Sequence, residues 1–101
     1  MTEFHEIVRA RVQPEREEEM LRRRPELEAA VRDALPGLID IKLIRIDDGS
    51  YIDYLRWEGR EAADAAVEKF ADIPAAEEIH GFLSEDLGHY RGEEAVPAAV
   101  S

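Results

Sequence analysis

The chain of 101 residues contains no cysteine. That excludes disulfides, thiolate nucleophiles and the zinc or iron–sulfur centres that thiolates build. Positive charge is also scarce: 13 Lys and Arg stand against 24 Asp and Glu, a net charge of −11. Nucleic acids and anionic membranes both need clustered Lys and Arg, so neither partner is expected. No run approaches the roughly 18 apolar residues of a membrane-spanning helix. The opening Met1-Thr2-Glu3-Phe4-His5-Glu6 lacks the basic and apolar regions of a signal peptide, which makes the cytoplasm the expected location. Aromatic residues are only 7% of the chain, but hydrophobic residues reach 45%, an ordinary globular content. The length suits one domain with a thin core.

Alternation comes first along the chain. Phe4, Glu6, Val8, Ala10 and Val12 fall on one face of an extended segment, and His5, Ile7, Arg9 and Arg11 on the other. The first set is mostly apolar, as in a half-buried strand. Pro14 then opens a helix, where its missing N–H costs nothing. Glu15, Glu17, Glu18 and Glu19 suit the positive end of the helix dipole. Met20, Leu27, Val31 and Leu35, with Arg24 and Ala34 between them, recur at helical spacing. Pro36-Gly37 ends the helix after about 21 residues, roughly 31 Å. The run Arg22-Arg23-Arg24 faces three directions on the helix and is expected to be mostly solvated, answering the glutamates one turn earlier.

Leu38 to Ile46 reads as a second strand, and Tyr51 to Trp57 as a third. Asp47-Asp48-Gly49-Ser50 between them carries the Asp-Gly signal of a hairpin. Arg60 to Phe70 is helical, with Ala63, Ala66, Val67 and Phe70 on one side. Ile73-Pro74 interrupts it, and Ala75 to Leu83 forms a further short helix with Ile79, Phe82 and Leu83 inward. Gly88 to Arg91 is expected to belong to a fourth strand, and residues 93–101 to form a tail without periodicity. Asp47-Asp48 and Glu85-Asp86 read as solvated turn residues, because no loop offers enough converging oxygens for Mg²⁺ or Ca²⁺.

The order is β-α-β-β-α-(α)-β. It predicts an α+β, ferredoxin-like βαββαβ fold, with the helices on one side of a four-stranded antiparallel sheet. Ile39, Ile41 and Leu43 share one face of the second strand, and Ile44 and Ile46 lie on the other. A strand apolar on both faces is buried on both. The cheapest cover for the second face is another copy of the chain, so a homodimer packed sheet to sheet is expected.

Several stretches carry a family resemblance. They are Val12-Gln13-Pro14-Glu15 leading into the first helix, Leu35-Pro36-Gly37-Leu38, the Asp-Asp-Gly hairpin, and Trp57-Glu58-Gly59-Arg60-Glu61-Ala62. Together with the element order, these resemble the antibiotic biosynthesis monooxygenase domain, a branch of the dimeric α/β-barrel proteins. The resemblance spans about residues 4–92, and residues 1–92 are expected to form one domain. It implies a homodimer and a ligand cavity in each subunit between helices and sheet. Some members oxidise polycyclic phenols with dioxygen and no metal or flavin, so no cofactor is expected here. Other members bind and degrade heme, act as quinol oxidases, or have no known activity.

Cofactor-free oxygenation needs a base, a dry pocket and an electron-rich aromatic substrate. Histidine is the natural base near neutral pH. Of His5, His80 and His89, His80 is the best placed, beside Ile79 and close to Leu83. Asp53, among Tyr51, Leu55 and Trp57, is the second catalytic candidate, since burial raises a carboxyl pKa. Trp57, Tyr54, Phe70 and Phe82 are the candidate substrate-binding residues, although for Trp57 strand-end packing against the second helix is the favoured reading over substrate stacking. Tyr54 and Arg56 share a face and, with Arg45, could hydrogen-bond a phenolate or a dimer partner. No histidine stands at metal-ligand spacing from another, so no metal site is expected. The heme-degrading members imply an Asn in strand one, a Trp on helix two and a His about ten residues later. His80 fits the last, Phe70 occupies the Trp position, and strand one has no Asn. Heme breakdown is therefore disfavoured, while heme binding through His80 remains an alternative. The other alternative is a non-catalytic ligand-binding or interaction dimer.

Overall fold

The computed structural model describes residues 2–96. Strand β1 (Phe4–Val12) leads through a 3-10 turn at Pro14–Arg16 into helix α1 (Glu17–Ala34). Strands β2 (Leu38–Arg45) and β3 (Tyr51–Trp57) form a hairpin. Helix α2 (Arg60–Lys69), a 3-10 turn (Phe70–Asp72) and helix α3 (Pro74–Gly81) follow, and β4 (Leu83–Glu93) closes the domain. The sheet is antiparallel in the order β2-β3-β1-β4. This is the expected α+β ferredoxin-like fold.

The alternation in β1 holds. Phe4, Glu6 and Ala10 are buried on the helix side, while Ile7 is 39% exposed on the other. Their cross-strand neighbours set the same faces: Phe4 lies opposite Trp57, Glu6 opposite Leu55 and Val8 opposite Asp53. In β2 an irregularity between Leu38 and Asp40 shifts the register. Leu38 and Ile41 are buried, and Ile39 is left exposed rather than grouped with Ile41 as the alternation predicts. The same register puts Arg45 opposite Tyr51 on the helix side, not with Tyr54 and Arg56, and its Nε donates to the Tyr51 hydroxyl at 2.9 Å.

Gly37 turns the chain from α1 into β2 with φ +93°, a left-handed conformation open to glycine. A Cβ there would stand 2.7 Å from Ala62 Cβ, so this turn also fixes how closely α2 approaches. In the hairpin, the Asp48 carboxylate accepts from both the backbone N–H and the hydroxyl of Ser50, at 2.9 and 2.6 Å.

Further sequence expectations need correction. Leu83 starts β4 instead of ending a helix, and β4 is 11 residues long instead of the short Gly88–Arg91 segment. Glu85 and Asp86 therefore lie in a strand, paired with Arg11 and Ala10. Ala34 and Val67 are exposed, because Leu35 and the pair Ala63 and Ala66 take the inward positions. Arg24 is buried at 5% exposure, not solvated. The tail expected at 93–101 begins at the last residue of β4, and positions 97–101 lie outside the described residues.

Candidate functional site

Between the helices and the sheet lies a cavity of about 620 Å³, within the size range of small-molecule sites. Val8 from β1, Ile41 from β2 and Leu55 from β3 form its sheet wall; Val31 of α1 and Ile79 of α3 form its helix wall. Phe70 reaches it from the turn after α2. The walls are apolar for the reason the core is: each residue sits on the inward face of its own element, and the elements splay enough to leave space between them. Four ionisable residues border this space: Arg24, Asp53, Glu77 and His80.

His80 sits in the last turn of α3, just past the half-buried Ile79, and is exposed. Glu77, one turn before it, is exposed too. These two border the cavity where solvent reaches it. Asp53 projects from the middle of β3 and Arg24 from α1. The Arg24 guanidinium donates to both oxygens of Asp53, one of them at 3.3 Å, and its Nε donates to Glu28 at 2.7 Å. Burial alone would lower the Arg24 pKa, but the Asp53 and Glu28 carboxylates overcome that and raise it. Helical phase explains its position. Arg24 lies four residues after Met20 and three before Leu27, on the stripe that faces the sheet.

The structure brings together three of the six residues singled out in the sequence: His80, Asp53 and Phe70 all border the cavity. Trp57 and Phe82 do not line it. Both are fully buried in the core, where the Arg16 guanidinium lies over the Phe82 ring at 4.4 Å. The indole N–H of Trp57 has no hydrogen-bond partner there. Tyr54 is on the opposite face of the sheet. Its hydroxyl and His5 Nδ1 share a hydrogen bond of 2.5 Å, and burial pushes its phenol pKa up. These two side chains, with Ile7 and Tyr90, line a separate hollow of about 480 Å³. Arg24 is the site residue the sequence reading passed over, and the signal for it was its place on the α1 stripe. His89 is engaged elsewhere, bonding through Nε2 to the buried Glu6 at 2.8 Å. Among the described residues, no group of three or more His, Asp or Glu is arranged to hold a metal ion. No helix there is long and apolar enough to cross a membrane.

No curated protein sequence matches this chain. Many solved structures share its fold. A protein from Bordetella bronchiseptica superposes with a TM-score of 0.77 at 17% identity, covering 95% of this chain and 100% of that one. SnoaB, a cofactor-independent oxygenase from Streptomyces nogalater, gives 0.67 at 18% identity, covering 99% and 98%. A conserved protein of unknown function from Bacteroides thetaiotaomicron gives 0.68 at 19% identity, covering 92% and 98%. At these identities the likeness is one of fold. Sequence carries the assignment further: residues 3–71 match the antibiotic biosynthesis monooxygenase family, and the chain belongs to that family.

Proposed function

We propose that the protein binds a flat aromatic or quinone-type molecule in the cavity between helices and sheet and oxygenates it with dioxygen, without metal or flavin. The observation that carries this reading is an apolar cavity of about 620 Å³, in a chain of this family, with His80 and Asp53 on its wall. In the reaction a ring methylene loses a proton to His80, and the resulting carbanion gives an electron to dioxygen. The carbon–oxygen bond then forms. One oxygen atom stays as the product carbonyl, and the other leaves as water with the two methylene hydrogens. The apolar wall shields from water the face of the anion that packs on it. His80 acts as general base, and Phe70 gives the ring a surface to pack on.

The reading includes a homodimer. Ile7, Ile44 and Tyr90 are 39%, 42% and 61% exposed, and with Ile52 and Tyr54 they lie on the sheet face away from the helices. A second copy laid on this face would cover it and close the hollow beside Tyr54.

The test is turnover of an anthrone-type substrate. The wild type is expected to convert it to the quinone with uptake of one dioxygen. His80→Ala should lower kcat by about 100-fold with the fold intact by circular dichroism. Undiminished turnover in His80→Ala would remove His80 as the base. Saturable binding without turnover in the wild type would leave a ligand-binding dimer in place of an enzyme.

A further inference from the structure

The cavity has one charged feature deep in its wall, and the feature is unevenly balanced. Arg24 is 5% exposed and has five N–H donors, of which three are committed. Its Nε donates to Glu28 and its two terminal nitrogens to the two oxygens of Asp53. One cation therefore stands between two carboxylates, so the cluster carries a net charge of −1. Glu77 on the cavity border adds a further acidic group, and His80 is the other ionisable residue there.

We propose that this cluster sets the ligand selectivity of the cavity: Asp53 accepts a hydrogen bond from a neutral hydroxyl of the bound molecule, and carboxylate-bearing ligands are turned away. The inference rests on the cavity being the ligand site and goes on to name the chemistry it selects. Arg24 keeps two uncommitted N–H groups, but its charge is already shared by Asp53 and Glu28, so an incoming carboxylate meets a cluster whose net charge is −1. Placed beside the pair, it would bring a further negative charge into close range of Asp53, and that repulsion costs affinity. A carboxylate has about four acceptor positions, and Arg24 occupies two on Asp53. Asp53 borders the cavity, so acceptor capacity stays within reach of a ligand. Elsewhere the sheet wall is aliphatic, and a hydroxyl finds no comparable partner there.

The same ion pair also ties α1 to β3, and a purely structural tie would show no ligand preference. Calorimetric titration at neutral pH with 2-naphthol, 2-methoxynaphthalene and 2-naphthoate separates the two roles. The wild type is expected to bind the naphthol at least about tenfold more tightly than the ether, which cannot donate, and than the naphthoate. Asp53→Asn removes one charge at constant size and should raise naphthoate affinity about tenfold. Glu28 does not border the cavity, so Glu28→Gln should also raise naphthoate affinity while keeping the wild-type ratio of naphthol to ether. If Asp53→Asn fails to fold, Glu28→Gln and the wild-type series decide the matter. Equal binding of naphthol and ether would overturn the inference and leave the cavity as a ligand site. Tightest binding of naphthoate would overturn it in favour of Arg24 as an anion receptor. Binding of none of the three would defeat the cavity reading itself.

Discussion

Arg24 of α1 binds both oxygens of Asp53 on β3, joining helix and sheet by a charged contact beside the apolar part of the cavity wall. Burying two charges is expensive, and their attraction roughly repays it only while both partners are present. Removing one partner is therefore far worse than removing both. Arg24→Met should cost about 3 kcal/mol in urea denaturation, moderated because the Asp53 side chain keeps 20% exposure. Arg24→Met combined with Asp53→Leu should recover most of that loss, since a packed apolar pair of similar volume is often neutral. A single variant as stable as the wild type would mean that solvent already screens the pair.

The hairpin between β2 and β3 carries a pH-sensitive contact. Hydrogen bonds from the Ser50 hydroxyl and backbone N–H, together with the Arg9 guanidinium, hold the Asp48 carboxyl down to about 2. A depressed carboxyl stabilises the fold at pH values above its unfolded pKa, and that stabilisation is lost as pH falls through the folded value. The window runs from about pH 4 down to about pH 2. Wild type should be more stable than Asp48→Asn at neutral pH, and the difference should shrink across this window and vanish below it. Thermal melts of both proteins in a pH series measure this. A difference that stays constant down to pH 2 would show that the contact acts through shape alone.

Much of the fold was legible because burial follows period. In β1 the alternation named the inward set, and in α2 the alanine stripe named the contact surface. The misses have local causes. β4 is almost wholly half-buried or exposed and is held by its ladder with β1, not by an apolar face, so Ser84-Glu85-Asp86 gives no strand pattern. Register shifts opposite Ala10 and Val12 break what alternation there is. Ile39 was assigned to the wrong face because a single irregularity reverses every later position in a strand. Arg24 falls on the α1 stripe by helical spacing, but its place in a run of three arginines outweighs that signal. Composition alone makes such a run look solvated, and only the helical phase singles out the member that faces the sheet. Half of the candidate site was legible for the same reason. Asp53 and His80 could be placed by period. Inward phase gave Trp57 and Phe82 equally to the core or to a cavity wall, and both went to the core, where large aromatics bury the most surface.

The sheet face away from the helices gives the last prediction. Across neighbouring strands, Tyr54 pairs with Ile7, and Ile7 with Tyr90; alongside them, Ile44 pairs with Ile52. These residues form a contiguous apolar strip flanked by charged neighbours such as Lys42 and Arg9, as expected of a surface that meets a second copy. An isologous contact brings each residue near the two-fold axis close to its own copy, so one substitution acts twice. Ile7→Glu combined with Ile44→Glu should therefore convert a species of twice the 11.5 kDa chain mass into a monomer in native mass spectrometry. The variant should keep its helix content, because neither side chain belongs to the core between helices and sheet. Ligand affinity should also survive, because neither residue borders the cavity beneath the helices. A wild type that runs as a monomer at micromolar concentration would remove the dimer and leave the strip for another partner.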